Sequence, residues 1–134
     1  MSFQMTWTLP ASAEYVSICR NVLKCYLLEQ GALRDDIDNL QVILGEACAN
    51  VIRHAHINPD ANYEVRFEHY LNSVALDIVD EGMGFDPDSP LRCDTDEGCG
   101  VGLILIRELS ARTQIKSTIG HGASIHVEYL LSAA

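Results

Sequence analysis

The chain has 134 residues, with nine basic and nineteen acidic side chains and a net charge of -10. That length suits one domain with its own core, and the acidic balance argues against nonspecific binding to nucleic acid or to an anionic membrane. It leaves room for a phosphate ligand held by backbone N–H groups, which needs few basic side chains.

The five cysteines are odd in number and include no Cys-x-x-Cys pair, and the histidines lack metal-ligand spacing beside them. No disulfide framework is expected, and a reducing cytoplasm is the natural setting. No signal peptide and no bilayer-spanning apolar run is visible.

Residues 3–9 alternate and carry aromatics, which reads as a strand ended by Pro10. Ser12 is placed to N-cap a helix through about Gln30 with apolar Val16, Cys19, Leu23, Tyr26 and Leu27 on one side. Gly31 stops it. In the next helix Leu33, Ile37, Leu40, Leu44, Ala47, Val51 and Ala55 recur by threes and fours, the core stripe of an amphipathic helix. Asp35 and Asp36 fall in its first turn, where the positive end of the helix favours them. The helix should run to about His56, with Asn58-Pro59-Asp60 closing it. Glu46, Asn50 and Arg53 lie beside the stripe, and residues four apart share a face. A carboxylate and an amide at a core margin either satisfy something structural or face a ligand.

Residues 63–70 and 73–80 read as antiparallel strands joined at Leu71-Asn72, with Tyr63, Val65 and Phe67 on one face and Val74, Leu76 and Ile78 on the other strand's equivalent. The period of two puts Asp80 inward, where a carboxylate needs hydrogen bonds. The plainer alternative is a strand-end Asp that starts a turn. Residues 81–99 have no periodicity and are rich in Gly, Pro and Asp, which suits a lid or binding loop. An almost wholly apolar helix from Gly100 to about Ala111 should be buried. Residues 113–119 and 123–131 read as a second hairpin across Gly120-His121-Gly122, with Ala123, Ile125, Val127 and Tyr129 inward. No repeat or linker divides the chain, so residues 1–134 form one domain.

Two glycine sets suit close approach of the backbone to a ligand: Asp80-Glu81-Gly82-Met83-Gly84, and Gly98-Cys99-Gly100-Val101-Gly102 where a loop enters a helix. Neither is a dinucleotide fingerprint or a Gly-x-x-x-x-Gly-Lys-Ser/Thr phosphate loop. In order, Glu46-x-x-x-Asn50, Asp80-x-Gly82-x-Gly84 and Gly98-x-Gly100-x-Gly102 resemble the nucleotide boxes of the GHKL ATPase/kinase superfamily across essentially the whole chain. The resemblance implies an α+β Bergerat fold, a two-layer α/β sandwich with a mixed, mainly antiparallel sheet and helices on one face. The N-terminal strand and the helix carrying Arg20 are similar, more narrowly, to the bacterial anti-sigma factor serine-protein kinases.

That resemblance implies a set of roles. Asn50 would ligate Mg²⁺, and Glu46 would be the general base on an attacking hydroxyl. Asp80 would accept the adenine amino hydrogen bond, with Gly82 and Gly84 beside the base. Gly98, Gly100, Val101 and Gly102 would cradle the phosphates of ATP, and His54 would extend the Glu46–Asn50 strip toward them. Residues 86–97 would be the lid. Arg20 is either a surface residue or part of a partner-binding surface. The partners implied are a STAS-domain anti-anti-sigma protein and a sigma factor or other target. A homodimer is also implied, with the strand at Phe3–Leu9 a candidate interface, and neither nucleic acid nor membrane is contacted directly.

One departure stands out. The family often has a threonine after the last glycine turn, and here Ala123 and then Ser124 follow Gly122. Alternation should point Ser124 away from the Ala123 face. Two other readings stay open: a nucleotide-binding regulatory module without catalysis, and the catalytic half of a two-component histidine kinase. The second is disfavoured because no dimerisation helix with a phospho-accepting His precedes residue 1. Cys93 and Cys99 read as ordinary loop thiols.

Overall fold

The computed structural model describes residues 2–54, 62–80, 101–117 and 122–132. In chain order these form β1 (Phe3–Pro10), α1 (Ala13–Glu29), α2 (Arg34–His54), β2 (Asn62–Tyr70), β3 (Ser73–Asp80), α3 (Val101–Leu109), β4 (Arg112–Ser117) and β5 (Ala123–Leu130). The strands build one five-stranded sheet in the order β1-β2-β3-β5-β4. Every pairing among the described residues is antiparallel, so the sheet is purely antiparallel there and not mixed. The fold is α+β, with helices on one face of the sheet.

The alternation read from the sequence sets the faces. Trp7 pairs with Val65, Val65 with Ile78, and Ile78 with Ile125, so one face carries an unbroken apolar row. Paired residues point to the same side, and that side holds the core with α1 and α2. Leu23, Leu27, Leu40, Ile43 and Leu44 are all fully buried against it. Each such side chain contributes about 1.5–3 kcal/mol relative to exposure. At the sheet edge, Phe3 stacks on Tyr26 of α1 with ring centroids 4.4 Å apart, and the Tyr26 hydroxyl meets His69 Nδ1 at 2.7 Å.

Ser12 takes the extended N-cap conformation of α1 but makes no side-chain cap bond. The other end is a complete Schellman motif. Gly31 adopts φ +75, its N–H donates to the Leu28 carbonyl, and the Ala32 N–H donates to the Leu27 carbonyl.

Two expectations fail locally. Leu33 is exposed, because α2 begins one residue later and Leu33 sits before the first turn, where the stripe has not started. The apolar α3 is not buried all round: Ile106 is fully buried, whereas Ile104 is 58% exposed and Leu105 37%. A helix laid against α2 on one side buries only the residues that share that side. The expected end of α2 beyond His54, the loop at 81–99, and the turn at 118–121 lie outside the described residues.

Candidate functional site

Among the described site residues, Glu46 of α2 meets Gly102 in the first turn of α3, and Asp80 stands at the end of β3. Asp80 closes β3 and is 3% exposed. Its strand partners are Tyr63 on one side and Ala123 on the other, both buried and facing the same way. The inward Asp read from the period of two is therefore real. Ser124 pairs with Val79 and Lys116 and lines the opposite face with His126, so it points away from Asp80. The methyl of Ala123, with no hydroxyl, stands beside Asp80.

On α2, Asn50 is 6% exposed and its Nδ2 has no hydrogen-bond partner among the described residues. A buried amide left unsatisfied costs free energy and signals a missing partner. Glu46 is half-buried one turn earlier. Its carboxylate lies against the first turn of α3: a Cβ built on Gly102 would stand 2.6 Å from Glu46 Oε2. The general-base candidate and Gly102 thus touch, although 56 positions of sequence separate residues 46 and 102.

A groove of about 540 Å³ opens beside Glu46 between α1 and α2, lined by Val16, Arg20, Gln41, Gly45, Glu46 and Arg53. The Arg20 stem packs on Gly45, whose Cβ position lies 3.6 Å from Arg20 Cδ, and the Arg20 Nε is buried without a partner. A guanidinium with an unused Nε donor on the wall of a groove suits an anionic group.

Tyr63 is the residue that the sequence reading passed over as core. Its hydroxyl is buried against the Cys48 thiol, and burial first, then the charge and hydrogen bond of Cys48 and the charge of Cys19, drive its pKa upward. The signal was present, since a tyrosine on an inward strand position opposite a carboxylate needs a polar partner. Cys19 and Cys48 are buried thiols whose pKa values burial pushes up to about 12 and about 11, so neither is a reactive thiolate at neutral pH. Gly82, Gly84, Gly98, Gly100, Cys93 and Cys99, and the side chains of His54 and Val101, fall outside the described residues. Among the described residues no helix is long and apolar enough to cross a membrane.

The sheet order and the one-sided helix layer are those of GHKL-type ATPase and kinase folds. The similarity has a TM-score of 0.73 at 19% identity to the RsbU and RsbW domains of a Mycobacterium tuberculosis protein, covering 98% of this chain and 33% of that one. It has a TM-score of 0.69 at 14% identity to a chain of the SiaB–SiaC complex from Pseudomonas aeruginosa, covering 96% and 88%. Residues 9–127 match the histidine kinase-like ATPase domain family, and the chain belongs to it. Among curated relatives, the serine-protein kinase RsbW of Bacillus thuringiensis is 32% identical over 78 residues, 58% of this chain and 49% of that protein. RsbW of Halalkalibacterium halodurans is 29% identical over 125 residues, 84% of this chain and 75% of that protein. The chain thus spans about half the length of the first of these relatives.

Proposed function

We propose that the chain is an ATP- and Mg²⁺-dependent serine/threonine protein kinase of the anti-sigma type. It would phosphorylate a STAS-domain partner and so control a sigma factor or other target by partner switching, as a cytoplasmic homodimer. The observation that carries this reading is the Glu46 carboxylate seated on the first turn of α3 at Gly102, with the unpartnered Asn50 amide one turn along α2. Similarity to RsbW kinases supports the choice of reaction.

The residues fit the ligands. Asn50 has a buried amide with unused hydrogen-bonding capacity, and turning its plane presents the oxygen that a hard cation prefers. Bound Mg–ATP supplies the phosphoryl group and neutralises charge on it. Asp80 would orient the base from the sheet end. Gly98, Gly100, Val101 and Gly102 would present backbone N–H groups to the phosphates, with His54 near them. Glu46 would hold the acceptor hydroxyl and take its proton, next to the turn that fixes the phosphates. The groove with Arg20 opens onto Glu46, so it is where the acceptor segment would lie. A phosphate on the partner adds about -1.5 to -2 charge, enough to break a fitted acidic interface by repulsion.

The test is phosphoryl transfer from Mg–ATP to a candidate STAS partner by wild type and by Glu46→Gln. Transfer by wild type alone supports the reading. No transfer by wild type, or equal transfer by both, rejects it. Ala123, paired with Asp80 where the family often has a threonine, favours a second reading, nucleotide binding without catalysis. Tight ATP binding with neither transfer nor hydrolysis would select it.

A further inference from the structure

We infer that Gly102 is a positioning residue for Glu46: its missing side chain is the space in which the Glu46 carboxylate sits. The catalytic half of this statement rests on Glu46 acting as the base proposed above, and the steric half does not. Gly102 is the second residue of α3. Its backbone does not demand glycine, since the left-handed glycines among the described residues are Gly31 and Gly122. Alanine would ordinarily be preferred at a helical position. A packing reason must hold the glycine there.

Among the described residues, that reason is Glu46. The three heavy atoms nearest to a Cβ on residue 102 all belong to Glu46: Oε2 at 2.6 Å, Cδ at 3.4 Å and Cβ at 3.6 Å. The first distance is an overlap and the other two are tight to ordinary contacts. The overlapping atom is the free end of a flexible side chain, so α3 can keep its place while the carboxylate gives way. A methyl at residue 102 therefore moves the carboxylate and spares the fold. Gly45, beside Glu46 on α2, behaves differently, because its Cβ would meet Arg20 at 3.6 Å or more and simply fit. A general base misplaced by about an ångström loses on the order of a hundredfold in rate.

The experiment combines a thermal-unfolding cycle with steady-state kinetics. Gly102→Ala, Glu46→Ala and the double variant are melted beside wild type. With Glu46 cut back to alanine, the overlapping Oε2 and the Cδ are gone and the residue 46 Cβ at 3.6 Å is an ordinary contact, so Gly102→Ala should raise Tm by about 1–3 °C through helix propensity. In wild type the same substitution should give no rise. Equal shifts in both backgrounds would overturn the contact. In kinetics, Gly102→Ala should lower kcat about tenfold or more while KM for ATP stays within about threefold. An unchanged kcat, or a raised KM with kcat kept, would overturn the positioning role and leave Gly102 as a phosphate contact. If wild type itself transfers no phosphate, the kinase reading fails while the melting cycle still decides the contact.

Discussion

The two halves of α2 handle buried polar groups in opposite ways. Near its start Asp36, 2% exposed, accepts from the Tyr129 hydroxyl at 2.7 Å, from the Ser132 N–H at 2.8 Å and from the Ser132 hydroxyl at 3.1 Å. Asn39 adds a bond to the Tyr129 hydroxyl at 3.0 Å. Near its end Asn50 is also buried, yet its Nδ2 has no partner among the described residues. A satisfied buried carboxylate ties the chain after β5 to the helix and belongs to the fold. An unsatisfied buried amide has no structural return and points to a ligand. The sheet repeats the contrast: the Leu71 turn and Tyr129 lie at one end, and Asp80, Tyr63 and Ala123 at the other.

The largest effect expected from breaking this contrast is on rate. Glu46→Gln should lower phosphoryl transfer about 10²–10⁴-fold and leave the unfolding midpoint where it was. Asp36→Ala should do the reverse. It strands the Tyr129 hydroxyl and the Ser132 N–H, and urea unfolding should show a loss of about 2–4 kcal/mol. A loss below experimental error would remove Asp36 from the structural side of the comparison.

A third polar cluster, on the solvent face of the sheet, sharpens the scale. His126 Nδ1 lies 2.6 Å from Asp77 and Nε2 lies 3.1 Å from Glu128. Both carboxylates are acceptors, so the ring bonds both best when doubly protonated. Partial burial pulls the His126 pKa down, but the bonds to Asp77 and Glu128 outweigh it and the net shift is upward. A raised folded-state pKa means the stabilisation is complete below the unfolded value and is lost as pH rises through the folded one. The excess stability of wild type over His126→Gln should therefore shrink as pH rises above the ordinary histidine value of about 6.5. A gap that widens with pH would contradict this assignment. The effect should be small, because the cluster is partly solvated.

The smallest change concerns backbone strain at the structural end. Leu71 holds φ +55 in the two-residue turn between β2 and β3, a region that penalises a branched side chain. Leu71→Gly should raise stability by about 0.5–1 kcal/mol with activity unchanged, as read by urea unfolding.

The legible parts of the molecule were those carried by local period. Alternation along β2, β3 and β5 was enough to turn Asp80 inward and Ser124 outward. The threes and fours of α2 left Glu46 and Asn50 at the core margin. The Asp36 clamp was not legible, because its partners lie more than ninety positions away and the helix-end position of Asp36 already had a sufficient local explanation. Gly102 read as one more phosphate-loop glycine, since nothing local says that its neighbour is Glu46. The exposure of Leu33 and of much of α3 followed from where packing partners stop, which periodicity does not record.

The central claim is that Asn50 and Glu46 divide binding from turnover. Calorimetric titration of Mg–ATP into wild type, Asn50→Ala and Glu46→Gln tests it most directly. Wild type and Glu46→Gln should bind with similar Kd, and Asn50→Ala should show no measurable Mg-dependent binding while keeping its fold, because no bond to its Nδ2 from the described residues is lost. Full Mg–ATP binding by Asn50→Ala would contradict it.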